Sequence, residues 1–348
     1  MSEVTIQDVA RAAGVSAASV SNLLNGRVDR MRPVTRARIE AVILDLGYRP
    51  NPIARQLKTG RAPMFGLLVP NVANPFYGEL AAAVERCAQA HGYHVLLCNT
   101  LRDGEREREF TEQLASMGVQ GLIIAAPSAS VDLIREFVER RISIAAFDIR
   151  LSDLPLPGVD IVTIDNDAAT SLVVNHLAAL GHRNIAFAGA PVTTANRAAR
   201  LRGYNEALRE RDLSPGPILV GSSAEGSLHG DLELGVLGQS VGRRLAALRP
   251  RPTAVVAHND MVAIGVMSGL NECGLDVPRD VSVVGLDDIR VASLVKPALT
   301  TIRQPSAAMA EAALNRLVER LAEPGKPASE LVLVPELVIR ASTAPPSW

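Results

Sequence analysis

The chain has 348 residues, of which 47% are hydrophobic and 21% charged. At about 100–200 residues per domain this length predicts two or three globular domains, and the composition disfavours disorder or a coiled coil. The apolar runs are far shorter than the roughly 20 residues that span a bilayer, and the N-terminus lacks a secretory signal pattern. The three cysteines (Cys87, Cys98, Cys273) lack metal-binding spacing. We therefore expect a cytoplasmic protein without a disulfide framework or zinc ribbon.

Charge is distributed unevenly along the chain. Residues 1–60 contain nine Lys and Arg against five Asp and Glu, a net charge of +4. The whole chain carries −1, so the remaining residues carry −5. A basic segment attached to a larger acidic body is typical of a nucleic-acid-binding head.

Two short helices joined by a turn are predicted near the N-terminus. Thr5 and Asp8 have the spacing of a helix start, and Gly14 ends this first helix. Ser16 caps a second helix, which ends at Asn25-Gly26. Together they form a helix-turn-helix unit. The second helix is expected to expose small and polar side chains, which let it approach base edges: Ala17, Ala18, Ser19, Ser21 and Asn22.

A third helix and a very short fourth helix follow. Pro33 suits the first turn of the third helix, and Gly47 its end. Asn51 and Pro52 start a segment of about eight helical residues, below the roughly 12–15 at which an isolated helix becomes marginally stable. This segment should be helical only when something holds it.

These N-terminal motifs resemble those of the LacI/GalR family of bacterial transcription regulators. The resemblance rests on residues 5–16, Val20-Ser21, Leu24-Asn25-Gly26, residues 46–51 and Ala54-Arg55-Gln56-Leu57, and it continues through nearly the whole chain. It implies an N-terminal all-α helix-turn-helix domain (1–50), a hinge helix and linker (51–62), and an α/β core. That core would resemble periplasmic binding proteins, with two parallel-sheet lobes and a ligand in the cleft between them.

The resemblance also implies how the chain meets DNA. The second helix would read the major groove of a palindromic operator, as a homodimer or a tetramer, and Leu57 of the hinge helix would enter the minor groove. Family members often carry Arg at the position of Asn22, so the operator half-site is not copied from a relative. The DNA-binding residues implied are Thr5, Ser16, Ala17, Ala18, Ser19, Ser21, Asn22, Asn25, Ala54 and Leu57.

From Met64 onward, short apolar runs alternate with helix-length amphipathic stretches, which indicates βα units and parallel sheets. A second series of such units is expected to begin with the strand Ile161–Ile164. By the resemblance, the chain crosses between lobes near Ile161, Gln304 and Pro335. The first lobe would then comprise residues 63–161 and about 305–335, and the second 162–304 and about 336–342.

Polar residues at predicted strand ends are the candidates for the ligand site, because open α/β sheets bind ligands there. Their carboxylate, guanidinium and amide groups suit a hydroxyl-rich ligand. Asp260 is expected to serve its helix N-terminus, and Asp288 to be solvated. The effector-binding residues carried over from the family pattern are Phe76, Asp148, Arg200, Asn259, Asp287 and Gln304.

Aromatic residues are scarce in the second half of the chain. None occurs between Tyr204 and Trp348, so a ligand ring could stack only on Phe76, Tyr77 or Phe147. This weakens the case for a hexose and keeps three effector classes open: a sugar, a sugar derivative and a small acid.

Other functions are less well supported by the sequence. No GxGxxG follows a predicted strand and no GxxxxGK[ST] occurs, so no nucleotide cofactor and no metal is expected. An enzyme could use the Asp287-Asp288 pair or Ser128 and Ser130, but adjacent strand residues point to opposite faces. A receptor that does not bind DNA would leave residues 1–60 unexplained. We therefore expect a ligand-responsive transcription regulator, and specifically a repressor, that is not an enzyme.

Overall fold

The computed structural model describes residues 4–24, 28, 31–48, 63–125, 131–150, 152, 157–192, 194–221 and 232–347. The chain divides into two compact units, Met1–Ala62 and Pro63–Trp348, which are described separately. Within the described ranges, no helix combines the length and hydropathy required to cross a membrane.

The first unit contains three helices packed on a small apolar core. They are α1 (Ile6–Ala13), α2 (Ala17–Leu24) and α3 (Pro33–Asp45). All three helices contribute side chains to this core, and its buried residues are Val9, Ala10, Ala13, Val20 and Ile39. These helices confirm the predicted helix-turn-helix and the third helix that follows it.

Local hydrogen bonds fix the ends of the first two helices. The backbone N–H of Asp8 donates to Thr5 Oγ1 at 3.4 Å, and the Asp8 carboxylate accepts from the backbone N–H of Thr5 at 3.0 Å, which completes a capping box. Gly14 ends α1 with a φ of 59°, a conformation that other residues adopt only with strain. Ser16 Oγ then accepts from the backbone N–H of Ser19 at 3.2 Å and starts α2, as predicted.

The second unit contains two six-stranded sheets, each forming the centre of one lobe. In the first lobe all strand pairs are parallel, in the order β11-β5-β4-β3-β1-β2. Its elements in chain order are β1 (Met64–Val69), α4 (Pro75–Ala90), β2 (His94–Asn99), α5 (Gly104–Ser116), β3 (Gly121–Ala125), α6 (Val131–Glu139), β4 (Ser143–Phe147), β5 (Val159–Ile164), α11 (Ser306–Ala322) and β11 (Glu330–Leu333).

The second lobe has the strand order β12-β10-β9-β8-β6-β7. Its pairs are parallel except β10 with the edge strand β12, which is antiparallel, so the prediction of two parallel-sheet lobes is confirmed, with one antiparallel pair at this edge. Its elements are α7 (Asn166–Ala179), β6 (Ile185–Gly189), α8 (Ala195–Glu210), β7 (Ile218–Val220), α9 (Leu232–Ala247), β8 (Ala254–Ala257), α10 (Asp260–Glu272), β9 (Ser282–Asp287), a 3₁₀ helix (Arg290–Ser293), β10 (Thr300–Arg303) and β12 (Glu336–Val338).

The chain passes three times between the lobes, and the first passage differs from the prediction. Strand β5 pairs with β4 and β11, so residues up to Ile164 belong to the first sheet and the chain crosses at Asp165. The expected boundary at Ile161 was therefore wrong by one half-strand. The other passages lie between β10 and α11, at Gln304-Pro305, and between β11 and β12, at Val334-Pro335.

Candidate functional site

The DNA-facing candidates lie on α2 of the first unit. Ala18 and Asn22 are exposed there, whereas Ala17, Ser19 and Ser21 are only half-exposed. The expectation that all five are presented to solvent was therefore too broad, because Ala17 packs against the apolar core and Ser19 bonds to the hydroxyl of Ser16 at 3.0 Å. The Thr5 hydroxyl serves the cap of α1. The remaining candidates, Asn25, Ala54 and Leu57, lie outside the described residues, as does the hinge helix.

The six effector-binding candidates come together in the second unit. They line one buried cavity between the lobes, together with Asn74, Tyr77, Arg102, Asn196, Arg197 and His258. Phe76 and Asp148 belong to the first lobe, at the start of α4 and directly after β4. From the second lobe come Arg200 on α8, Asn259 and Asp287 at the ends of β8 and β9, and Gln304 after β10. We call this the inner cavity.

Arg200 is the centre of the polar network in the inner cavity. Its guanidinium donates to Asn166 Oδ1 at 2.8 Å and to the backbone carbonyl of His258 at 2.6 Å, and Nη2 lies 3.8 Å from Asp287 Oδ1. Gln304 Nε2 donates to the same Asp287 oxygen at 2.6 Å. Arg200 and Asp287 are both almost fully buried, so their geometry is fixed before any ligand arrives.

The glycine of the Arg200-Leu201-Arg202-Gly203 motif has a packing role. A Cβ on Gly203 would come within 2.3 Å of the backbone carbonyl oxygen of Asp167 at the start of α7. Only glycine allows α8 to approach α7 this closely. The close approach brings Arg200 within reach of Asn166, so the motif couples helix packing to the placement of the guanidinium.

Asp260 is outside the described lining of the inner cavity, but it holds in place segments that carry lining residues. Its fully buried carboxylate accepts from the backbone N–H of Ile289 at 3.0 Å and from the Thr301 hydroxyl. Burial raises its pKa to about 7. It opens α10, as predicted, directly after Asn259, which caps that helix by accepting from Val262 N at 2.9 Å. These bonds hold the loop after β9 and the strand β10, which carry Asp287 and Gln304.

Asp288 is not solvated, contrary to expectation. Its side chain is 9% exposed and forms ion pairs with Arg303 and Arg340. Phe147 is likewise buried in the apolar core and is absent from the described lining of the inner cavity. Among the three aromatic candidates for stacking, Phe76 and Tyr77 therefore line the cavity, with their rings edge to face at a centroid distance of 5.2 Å.

Three charged residues of the inner cavity have unusual backbone conformations. The φ angles of Arg102, Asp148 and Asp287 are 58°, 60° and 137°, in the region that normally favours glycine. Such conformations are costly, and they persist where the surrounding structure imposes them, which is most often at functional sites.

Electrostatics in the inner cavity are governed by burial. Burial raises the pKa of Asp148 and raises that of Asp287 well above its ordinary value, while Arg200 opposes both shifts. Burial also lowers the pKa of His258 well below its ordinary value, and Arg197, Arg200 and Arg102 lower it further. His258 is therefore neutral at pH 7.

The inner cavity has unmet hydrogen-bonding capacity. Within the described part of the chain, Asp148 Oδ1, Gln304 Oε1 and His258 Nδ1 are buried without a hydrogen-bond partner. The cavity volume of about 20 Å³ is little more than one water molecule needs. The lobes are also bridged outside it, where Glu79 Oε1 on α4 accepts from the backbone N–H of Arg290 at 3.1 Å. The cleft is thus closed, with acceptors from both lobes facing inward.

Sequence reasoning missed five residues of the lining: Asn74, Arg102, Asn196, Arg197 and His258. Arg102 follows β2, so the rule that ligand groups gather at strand ends could have found it. Arg197 precedes Arg200 by one helical turn and therefore lies on the same face of α8. Asn196 begins that helix and gives no comparable signal. No cluster of His, Cys, Asp and Glu suited to a metal ion occurs among the residues that were described.

Comparisons with known proteins agree with this architecture. Residues 5–51 match the family model of bacterial regulatory proteins of the lacI family. Residues 62–230 match the periplasmic binding proteins and sugar binding domain of the LacI family, and residues 174–343 match a periplasmic binding protein-like domain.

Individual relatives match along almost the full chain. The transcriptional regulator DegA of Bacillus subtilis is 33% identical over 347 residues, covering 99% of each chain. The ribose operon repressor of Escherichia coli K12 is 34% identical over 339 residues, covering 97% of this chain and 99% of the repressor. A crystal structure of the Lac repressor dimer bound to operator and the anti-inducer ONPF superposes with a TM-score of 0.84 at 26% identity, covering 99% of this chain and 100% of that one. The chain belongs to the LacI family of bacterial regulatory proteins.

Proposed function

We propose that this chain is a repressor that binds a palindromic operator as a dimer and a small hydroxylated effector in the cleft between the lobes, which would part to admit it to the residues of the inner cavity. The single observation that carries the effector part is the convergence of six polar and aromatic side chains from both lobes on one buried cavity with unpaired acceptors. Acceptors buried without partners are costly, and hydroxyl groups of a ligand supply the missing donors. The relative named for the ribose operon supports a carbohydrate as the ligand class.

The DNA-binding part of the proposal rests on the first unit. Its helix-turn-helix lies in a segment of net charge +4, and α2 presents Asn22 and Ala18 to solvent. Helix-turn-helix proteins read two half-sites through a two-fold axis, which requires a dimer or a larger symmetric assembly. The implied contacts of Thr5, Ser16, Asn25, Ala54 and Leu57 with operator belong to this proposal. A protein acting on chromosomal operators works in the cytoplasm, at the nucleoid.

Effector and operator would be coupled through the lobes. A ligand held by Asp148 of the first lobe and Asp287 of the second stabilises one arrangement of the two lobes over others. If that arrangement differs in operator affinity, the two binding events are linked reciprocally, typically by about 1–3 kcal/mol.

An enzymatic function has less support. Asp287 faces the inner cavity, but Asp288 is engaged by Arg303 and Arg340, so the two carboxylates do not form an acid–base pair. The other catalytic candidates, Ser128 and Ser130, lie outside the described residues. We propose that the chain binds its ligand without transforming it.

The proposal is tested by selecting binding sites from random double-stranded DNA with the full chain, and then titrating sugars against the selected site. We expect a palindromic consensus, and at least one sugar that changes operator affinity by about 5- to 150-fold, the usual range of such coupling. The same sugar should be recovered unchanged after incubation. A site without two-fold symmetry, or conversion of the sugar, would contradict the proposal.

Asn22 offers a sharper test of the DNA contact. Asn pairs with adenine through N6 and N7, whereas Arg pairs with guanine through O6 and N7, each discriminating by about 1–3 kcal/mol. Asn22→Arg should therefore shift one symmetric pair of operator positions toward guanine. Non-specific affinity should rise slightly with the added charge. Site selection with both proteins measures the change, and identical consensus sequences would show that Asn22 reads no base.

A further inference from the structure

Two consecutive residues at the end of β9 have backbone angles that residues other than glycine seldom adopt. The φ of Asp287 is 137° and that of Asp288 is 55°. Two such residues in succession persist only where the surrounding contacts impose their conformation. Asp287 lines the inner cavity, whereas Asp288 is outside its described lining. Because the two residues share a peptide bond, the contacts that hold Asp288 bear on where the Asp287 carboxylate stands.

The carboxylate of Asp288 is held at both oxygens by arginines from two different parts of the second lobe. Its Oδ2 accepts from Nε of Arg303, the last residue of β10, at 2.8 Å. Its Oδ1 accepts from Nη2 of Arg340, which follows β12. The side chains of Asp288 and Arg340 are both largely shielded from water. Hydrogen bonds between ionised groups are roughly twice as strong as neutral ones, so these contacts fix the carboxylate firmly.

The two arginines are themselves anchored by other groups. Arg340 Nη1 donates to the backbone carbonyl of Leu299 at 2.8 Å, and its backbone N–H donates to Thr300 Oγ1 at 2.9 Å. Arg303 Nη1 donates to Glu336 Oε2, at the start of β12, at 2.8 Å. The arginines therefore form a frame, built on β10 and the segment 336–340, against which Asp288 is placed.

The other contacts around this turn constrain Asp288 less directly. The backbone N–H of Asp288 donates to Thr301 Oγ1 over a long 3.4 Å, and the next N–H, of Ile289, donates to Asp260 Oδ2 at 3.0 Å. On the cavity side, Asp287 Oδ1 accepts from Gln304 Nε2 at 2.6 Å. The ion pairs of Asp288 are thus the strongest printed constraint between these two well-held neighbours.

We propose that Asp288 and Arg340 are positioning residues for the effector. Their ion pair keeps Asp288 in the left-handed conformation, and this conformation keeps the Asp287 carboxylate directed at Gln304 and the inner cavity. The inference rests on the proposed function, because it takes Asp287 to bind the effector. The competing interpretation is that Asp288 only neutralises its two arginines, in which case its loss lowers stability without moving Asp287.

Two substitutions of Asp288 separate these interpretations. Asp288→Ala and Asp288→Gly both remove the carboxylate, but glycine adopts a φ of 55° freely, whereas for alanine this conformation is disfavoured about tenfold. In crystal structures of the full chain we expect residue 288 of the alanine variant to leave the left-handed region, with loss of the hydrogen bond between Asp287 and Gln304. The glycine variant should keep both features. This measurement requires no effector.

Calorimetry then measures the consequence for binding, with ribose, xylose, glucose and gluconate as probes. For each probe that binds the unaltered protein, Asp288→Ala should raise the Kd about tenfold and Asp288→Gly less than threefold. Loss of charge neutralisation alone would affect the two variants equally, since both lack the carboxylate. The difference between them is therefore a readout that a purely structural role of Asp288 would not produce.

Variants of the arginine complete the design. Arg340→Met should raise the Kd about as much as Asp288→Ala, and Arg340→Lys should restore part of the affinity, because lysine keeps the charge but not the fork of donors. Arg279→Met is the matched control in the same lobe. Arg279 is exposed and pairs with Asp276 at the surface, so its loss should leave the Kd unchanged.

The outcomes separate this inference from the proposed function. An alanine variant that keeps the left-handed φ and the Asp287–Gln304 hydrogen bond would overturn the inference, as would equal Kd values for the alanine and glycine variants of Asp288. The expected structural change without binding of any of the four probes would instead support the positioning of Asp287 by Asp288 and contradict the effector class of the proposed function.

Discussion

Arg200→Ala should abolish the response to effector while leaving operator binding intact. The guanidinium holds Asn166, the carbonyl of His258 and Asp287 in one buried network, so its removal leaves the Asp287 carboxylate without its positive neighbour. A hydrogen bond from a charged group such as this guanidinium to the effector contributes about 1.5–3 kcal/mol, so its loss should raise the Kd by at least about tenfold. The proposed operator contacts belong to the other compact unit and do not involve this residue.

The measurement is calorimetry with the effector, followed by operator binding with and without it. Arg209→Ala is the matched control, because Arg209 lies on the exposed side of the same helix and outside the described lining of the inner cavity. It should bind effector like the unaltered protein. If Arg200→Ala still responds at the original effector concentration, the residue-by-residue transfer of the family pattern fails at this position.

Among the substitutions named for this protein, Arg320→Met should lower the free energy of unfolding the most. Arg320 and Asp160 are each only 4% exposed, and their side chains are joined by a Nη2–Oδ2 distance of 2.8 Å. Arg320 also donates to the backbone carbonyls of Lys326 and Pro327, at 2.6 and 3.0 Å, and so ties α11 and the segment before β11 to β5. Removing one partner of a buried ion pair typically costs about 3–5 kcal/mol, because the other charge remains buried.

Urea denaturation followed by far-ultraviolet circular dichroism measures this loss. Arg108→Met is the control, since Arg108 pairs with Glu105 and Glu112 on the surface of α5, where an ion pair contributes only about 0–1 kcal/mol. We expect a clear fall in the midpoint for Arg320→Met and almost none for Arg108→Met. Equal midpoints for the two variants would mean that the buried pair is energetically equivalent to a surface one.

Much of the lining of the inner cavity was predictable, because several of its residues directly follow apolar runs in the sequence. Asp148, Asp287 and Gln304 each stand where a buried strand ends, and parallel strands bring such ends to one edge. Whether these residues bind effector is still a proposal. Arg102 was missed because it follows the edge strand β2, where an arginine is expected to be a solvated surface charge. Arg102 lines the inner cavity with its backbone in the left-handed region, and no sequence pattern predicts that conformation.

Two errors have a common cause in long-range pairing. The sequence predicted a strand at Ile161–Ile164, which is the C-terminal part of β5 (Val159–Ile164). Hydrophobic periodicity does not show, however, which sheet a strand joins. Its partner β11 lies about 170 residues further along the chain. Asp288 was expected to be solvated because it stands in a predicted loop, whereas Arg340, one of the residues that neutralise it, is distant in sequence.

The pairing of β5 with β11 has a consequence for biosynthesis. A ribosome that has produced residues 63–164 has supplied five of the six strands of the first lobe, but not the edge strand β11 or the helix α11 that covers the sheet. Strands β6 to β10 of the second lobe lie between them in the chain, so these strands are made while the first lobe still exposes the edge of β5. Unpaired strand edges promote intermolecular association during folding. The nascent first lobe is therefore the stage at which chaperones should matter most for this protein, and a ribosome stalled before residue 330 should yield a chain prone to aggregation.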